Sequence, residues 1–154
     1  MILQNRIELI DKVINSSIYD YQEIKKLKSI DFEDIQTRRL INSFLFTFSK
    51  LQDLIGAKLF KEVLYELKEI ENKHTPMIDV LYKLEQLNMI ENALEWDILR
   101  EIRNELTHEY ELSYENRIEN LKKAIWGYEE IIKIYRNIKN YLIEKKLIKE
   151  KIWK

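Results

Sequence analysis

"RRLINSFLFTFSKLQDLI", Arg38–Ile55, decides the fold class. Phe44 and Phe48 stand four residues apart, and Leu40, Leu51 and Ile55 extend the same stripe at helical steps. Apolar residues at that spacing form one face of a helix, not a strand. The two phenylalanines read as core. A stack of aromatic side chains could also serve as a platform for bases, but the flanking leucines and isoleucine favour packing. Phe46 lies off the stripe and is free to face a second subunit. Upstream, Asp31 is placed to cap this helix. Downstream, Gly56 ends or bends it, and "KLFKEVLYELKEI", Lys58–Ile70, resumes the helical spacing.

Working outward, residues 2–28 carry Leu3, Ile7, Ile10, Ile14, Tyr21 and Ile24 on one stripe, with "SSIYDY" as a weak middle that leaves room for a kink near Ser16 and Ser17. "ENKHTPMIDV" is the clearest break. Thr75 suits an N-cap and Pro76 the first helical position, and His74 reads as a polar linker residue. A short helix follows to about Leu87, with a turn around Asn88. Asn92 and Glu95 have capping-box spacing and open a helix expected to end soon after Tyr110. Ser113 caps the last helix, with Ile118, Leu121, Ile125, Ile132, Tyr135, Ile138 and Leu142 along one side. The expected fold is all-α, an antiparallel bundle of four to five helices forming a single domain over residues 1–154.

Composition agrees. The 154 residues include two Gly and one Pro, too few breakers for a turn-rich β fold. Cysteine is absent, which removes disulfides, thiolate metal sites and a cysteine nucleophile, and fits a cytoplasmic location. No stretch has the uncharged apolar length that crosses a bilayer, and the charged N-terminus does not read as a signal peptide. Net charge is −1. Residues 133–154 nevertheless hold eight Lys or Arg against two Glu, a local balance of +6. Such a tail could meet an acidic partner, RNA included, but a solvated helix face accounts for it more simply.

The chemistry concentrates in "REIRNELTHE", Arg100–Glu109, followed by Tyr110. With ~100° per residue, Trp96, Leu99, Leu106 and Tyr110 fall within ~60° of Arg103, so Arg103 lies on the edge of an apolar stripe. It needs an anion there, since an unpaired charge in apolar surroundings is costly. A carboxylate of the same chain would serve, and so would a phosphate held bidentately. His108 falls ~140° away, beside Asn104. Arg103, His108 and Tyr110 converge only if the helix loosens near its end, or if two copies meet across a twofold axis. A composite cleft of the second kind implies a homodimer. There, paired histidines could act as base and acid on an RNA 2′-hydroxyl and its adjacent phosphate, with Arg103 holding the developing charge and no metal involved. The products would be a 2′,3′-cyclic phosphate and a free 5′-hydroxyl, and DNA would resist. By spacing alone the plain bundle, with Arg103 paired internally, is the stronger reading.

"RNELTHEY", Arg103–Tyr110, resembles the Arg-x4-His-x-Tyr motif of HepT proteins, members of the HEPN superfamily of all-α domains. The resemblance extends over residues 38–110, through "RRLINSFLFTFSKLQDLIGAKLF" and "MIDVLYKLEQLNMIENALEWDILREIRNELTHEY". It implies a metal-independent, cofactor-free ribonuclease toxin, acting as a homodimer in a two-gene toxin–antitoxin pair. Arg103 and His108 would be catalytic and Asn104 a polar helper. The partner it implies is a minimal nucleotidyltransferase antitoxin (MNT) that adds AMP to Tyr110 and silences the toxin. The alternative is a non-catalytic, nucleotide- or substrate-binding companion of a nucleotidyltransferase.

Overall fold

The computed structural model describes residues 2–106 and 113–150. Among these it is all-helical. α1 spans Ile2–Lys25 and α2 spans Ile35–Gln52. A π-helical segment, Asp53–Leu59, joins α2 without a break to α3, Phe60–Glu66. α4 (Met77–Gln86), α5 (Ala93–Glu105) and α6 (Tyr114–Glu144) follow. Because α2, the π segment and α3 form one rod, the fold is a five-rod helical bundle. Among the described residues no helix is long and apolar enough to cross a membrane.

Cross-links between rods fix their directions. Asp20 of α1 accepts from Ser43 of α2 at 2.5 Å, while Arg6, near the other end of α1, reaches Glu62 of α3 at 2.9 Å. α1 therefore runs antiparallel to the α2–α3 rod. It is also antiparallel to α6: Ser17 meets the Tyr128 hydroxyl at 2.7 Å, Asp11 accepts from Tyr135 at 2.6 Å, and Gln4 bonds the backbone of Lys149. Leu3, Ile7, Ile10, Ile14 and Ile24 line the buried face of α1, as their spacing requires. The helix passes Ser16 and Ser17 without interruption, and both hydroxyls bond carbonyls of their own preceding turn.

The core phenylalanines behave as expected: Phe44 and Phe48 are fully buried, whereas Phe46 is 71 % exposed. Among the described residues Arg6 and Glu62 form the most enclosed ion pair, with the glutamate side chain only 6 % exposed. Both glycines sit in helices at close crossings. A Cβ on Gly127 would stand 3.0 Å from the Phe48 ring, and one on Gly56 would stand 2.5 Å from the Trp96 indole.

With the glycines committed to packing, the turns use other residues. Lys68, Asn88 and Lys146 each adopt φ 61° just after a helix. In each case the next N–H reaches back to a carbonyl five residues earlier, closing a Schellman cap (Glu69 to Leu64, Met89 to Leu84, Leu147 to Leu142). The turn expected around Asn88 is of this kind.

Two N-caps differ from the sequence expectation. Asp34, not Asp31, caps α2: its carboxylate accepts from the Thr37 N–H and hydroxyl, which holds it below the usual carboxylate range. Asp31 instead accepts from Glu33 in the preceding turn. Pro76, not Thr75, occupies the cap position of α4, and the Thr75 hydroxyl bonds the Asn72 carbonyl. At α2 a second acidic residue nearer the helix took the role, whereas at α4 a local turn engages Thr75 and the helix starts without a side-chain cap. Ser113 caps α6 as anticipated, through the Asn116 N–H. His74 is exposed in the α3–α4 connection, with its N–H on Asn72.

Candidate functional site

α5 carries the first half of the arginine–histidine motif. Its buried face is Ala93, Trp96, Leu99 and Ile102. Trp96 fits against Gly56 and stacks edge-on with Phe60, ring centroids 4.7 Å apart. Seven residues along α5, on the same side, Arg103 meets Asp53, the first residue of the π segment. α5 is thus antiparallel to the rod, and Gly56–Trp96 and Asp53–Arg103 are successive contacts of one crossing.

The guanidinium engages the carboxylate end-on. Nη1 lies 2.6 Å from Oδ1, and Nη2 donates to Oδ2 at 3.0 Å. The side chains are 39 % and 47 % exposed. Arg103 therefore has a carboxylate partner in its own chain, the one of the two allowed partners that the plain-bundle reading expected. A pair this exposed contributes between about 0 and 1 kcal/mol, so the bundle does not depend on it to fold. Asn104 follows on the exposed surface of the same turn. The Leu106 N–H bonds the Arg103 and Asn104 carbonyls, so α5 tightens at its end. His108 and Tyr110 lie outside the described residues, as does the helix end expected just beyond Tyr110. Of the four motif residues the structure thus places two, Arg103 and Asn104.

No known protein family, curated protein or solved structure matches this chain.

Two further features belong to the site's surroundings. Gln52, next to Asp53, is 3 % exposed, and its amide bonds nothing among the described residues. Glu95 departs from the capping-box expectation. Asn92 does cap α5, accepting from the Leu94 N–H, but the Glu95 carboxyl is hydrogen-bonded to Glu130 of α6. Burial, the bond to Glu130 and the Glu130 charge push its pKa up to about 7, with Glu91 adding to the effect and Lys133 opposing it. Two carboxyls this close share a proton more readily than they both ionise. Sequence spacing hides such a pair, since it joins residues 35 apart on different helices.

Elsewhere, a groove of about 300 Å³ between α1 and α6 is lined by Tyr21, Tyr128, Glu129 and Arg136. It contains no motif residue. Its Tyr21 donates to Glu129 at 2.8 Å and is pushed up to about 12, first by burial. The basic C-terminal charge is partly paired within the chain: Lys139 meets Asp11 at 3.0 Å, half-buried, and Lys133 lies 4.0 Å from Glu91 on the exposed surface. No metal-holding cluster of acidic or histidine side chains exists among the described residues.

Asp53 was not singled out from the sequence. Its only advance sign is an acidic residue at the solvent edge of the apolar run, three positions before a glycine, a pattern too common to select it.

Proposed function

We propose that this chain is a metal-independent RNA endonuclease of the HepT type, acting as a homodimer and held in check by a nucleotidyltransferase antitoxin. The observation that carries the reading is Arg103: the motif arginine is partly exposed on the last turn of its helix, held end-on by a carboxylate that stability does not require. End-on pairing leaves Nε–H and the outer Nη2–H, the side-on fork, for a phosphate.

In the reaction, His108 of one subunit takes the proton from a ribose 2′-hydroxyl. The oxygen attacks the neighbouring phosphorus, and Arg103 stabilises the added negative charge. The bond to the 5′-oxygen breaks as the second His108 protonates it, giving a 2′,3′-cyclic phosphate and a 5′-hydroxyl. Asn104 supplies a polar contact. Exposed Leu94 and Ile98 on α5 support a twofold pairing along the motif helix. Trp126 of α6, also exposed, lies along the same seam, between the Lys123–Glu105 and Glu130–Glu95 contacts. AMP on Tyr110 would bring a phosphate to Arg103 and obstruct the cleft.

The test is incubation of the purified protein with mixed RNAs and with matched DNA, in chelator. Cleavage of RNA alone, with cyclic phosphate ends, is expected, and loss of cutting in His108→Ala and Arg103→Ala with the helical content intact. A wild-type protein that leaves every RNA whole overturns the nuclease. AMP on Tyr110 after co-expression with a nucleotidyltransferase would then leave the non-catalytic companion as the better reading.

A further inference from the structure

We propose that Asp53 is the positioning residue for Arg103: it fixes the plane of the guanidinium so that the side-on fork is presented to the scissile phosphate. This rests on the nuclease reading above.

Three observations meet at this point. The first is the geometry of the pair. Two N···O contacts, an ion-pair approach of 2.6 Å at Nη1 and a hydrogen bond of 3.0 Å from Nη2, hold the guanidinium at two points and limit its turning about its long axis. A single contact would leave it free to rotate. The second is what the pairing leaves over. Of five guanidinium N–H groups, an end-on fork uses two, one on each Nη. No other described residue bonds Arg103. The Nε–H and Nη2–H that this pairing does not engage lie side by side on one edge, the spacing that matches two oxygens of a phosphate.

The third is how Asp53 gets there. It opens the π segment, whose wider turns end only where the Phe60 N–H reaches the Ile55 carbonyl. π turns are uncommon and recur at functional positions. This one is clamped from outside, because the Trp96 indole occupies the space a Cβ on Gly56 would need. The same crossing that admits Trp96 brings Asp53 opposite Arg103. Immediately before Asp53 stands Gln52, buried and without a hydrogen bond among the described residues, an arrangement that core packing alone does not favour. The rod is wound in a costly way at the one place where it meets the motif arginine.

A positioning carboxylate differs from a merely structural one in what its loss changes. In Asp53→Asn the isosteric amide keeps the volume and loses the charge-assisted double contact. RNA turnover should fall by about 10²-fold, chiefly in kcat, while KM and the melting temperature stay close to wild type. Asp53→Glu, which keeps the carboxylate, should recover part of the lost rate. Independently of activity, the Arg103 Nη–H signals in a 15N NMR spectrum should be resolved in the wild type and lost in Asp53→Asn.

Wild-type turnover in Asp53→Asn overturns the inference and leaves the nuclease standing. Faster turnover also overturns it, since Asp53 would then compete with the phosphate. A rate loss matched by a fall in melting temperature, with no recovery in Asp53→Glu, reduces Asp53 to a structural role. If the wild-type protein cuts no RNA, the nuclease reading fails and takes the positioning role with it, and the NMR signals then report the ion pair alone.

Discussion

The indole of Trp96 occupies the space where Gly56 would carry a side chain: a Cβ there would stand 2.5 Å from one ring carbon and 2.9 Å from two further ring atoms. A tryptophan on α5 and a glycine in the π segment of the rod thus form one crossing, and the motif arginine is carried on its flank. Trp96 is itself 2 % exposed and braced by Phe60, so it has no room to withdraw.

Gly56→Ala tests that crossing. Alanine is the better helix former, by about 1 kcal/mol, but forcing a methyl into a filled core costs about 1–3 kcal/mol. The overlap wins, because the atoms it meets belong to a rigid ring. A fall in melting temperature of about 2–6 °C is expected, measured by thermal unfolding followed by circular dichroism. An unchanged or higher value would mean that α5 and the rod are not in this contact.

The Glu95–Glu130 pair sets a pH dependence. The folded-state pKa of Glu95, about 7, lies above its ordinary value of 4.5. The folded protein therefore binds more protons than the unfolded chain between those values, and stability falls as pH rises across that window. Below it both states are protonated and above it both are ionised, so this contribution is flat at either end. Glu95→Gln keeps a hydrogen-bond donor for Glu130 and removes the repulsion. The variant should unfold at a higher temperature than wild type at pH 8, and the difference should shrink towards pH 4. A variant less stable than wild type at pH 8 would show that the carboxyls are not paired.

Lys146 closes α6 with φ 61°, a conformation that costs an L-residue about 1–2 kcal/mol. Glycine adopts it freely but loses more entropy on folding, about 0.5–1 kcal/mol. Lys146→Gly should therefore stabilise by about 0.5–1 kcal/mol, read from chemical denaturation at constant slope. Destabilisation would mean that the lysine side chain contributes more than the cap geometry indicates.

Gln52→Met replaces a buried amide by an apolar chain of similar length. Removing unpaired polar atoms from the core is neutral to stabilising, so the melting temperature should hold or rise. A clear drop would show that the Gln52 amide has a partner in solution, and the adjoining Asp53 would be the first place to look for the effect.

The sequence by itself determined that this chain is helical, and largely where its helices lie. Periodicity in Arg38–Ile55 and in residues 2–28 is a property of each segment alone, and Phe44, Phe48, Ile7 and Ile10 went inside because their spacing left no other economical face. Cap identities were less legible, since Asp31 and Asp34, or Thr75 and Pro76, compete over a few residues and the winner depends on backbone angles. Arg103 was legible as a residue needing an anion. Which anion was decided by the crossing of α5 with the rod, where Gly56 and Trp96 set the approach. Asp53 opposite Arg103, and Glu130 opposite Glu95, are neighbours only in three dimensions. No local pattern encodes them, because each pairing follows from how two helices, separately formed, are pressed together by the core between them.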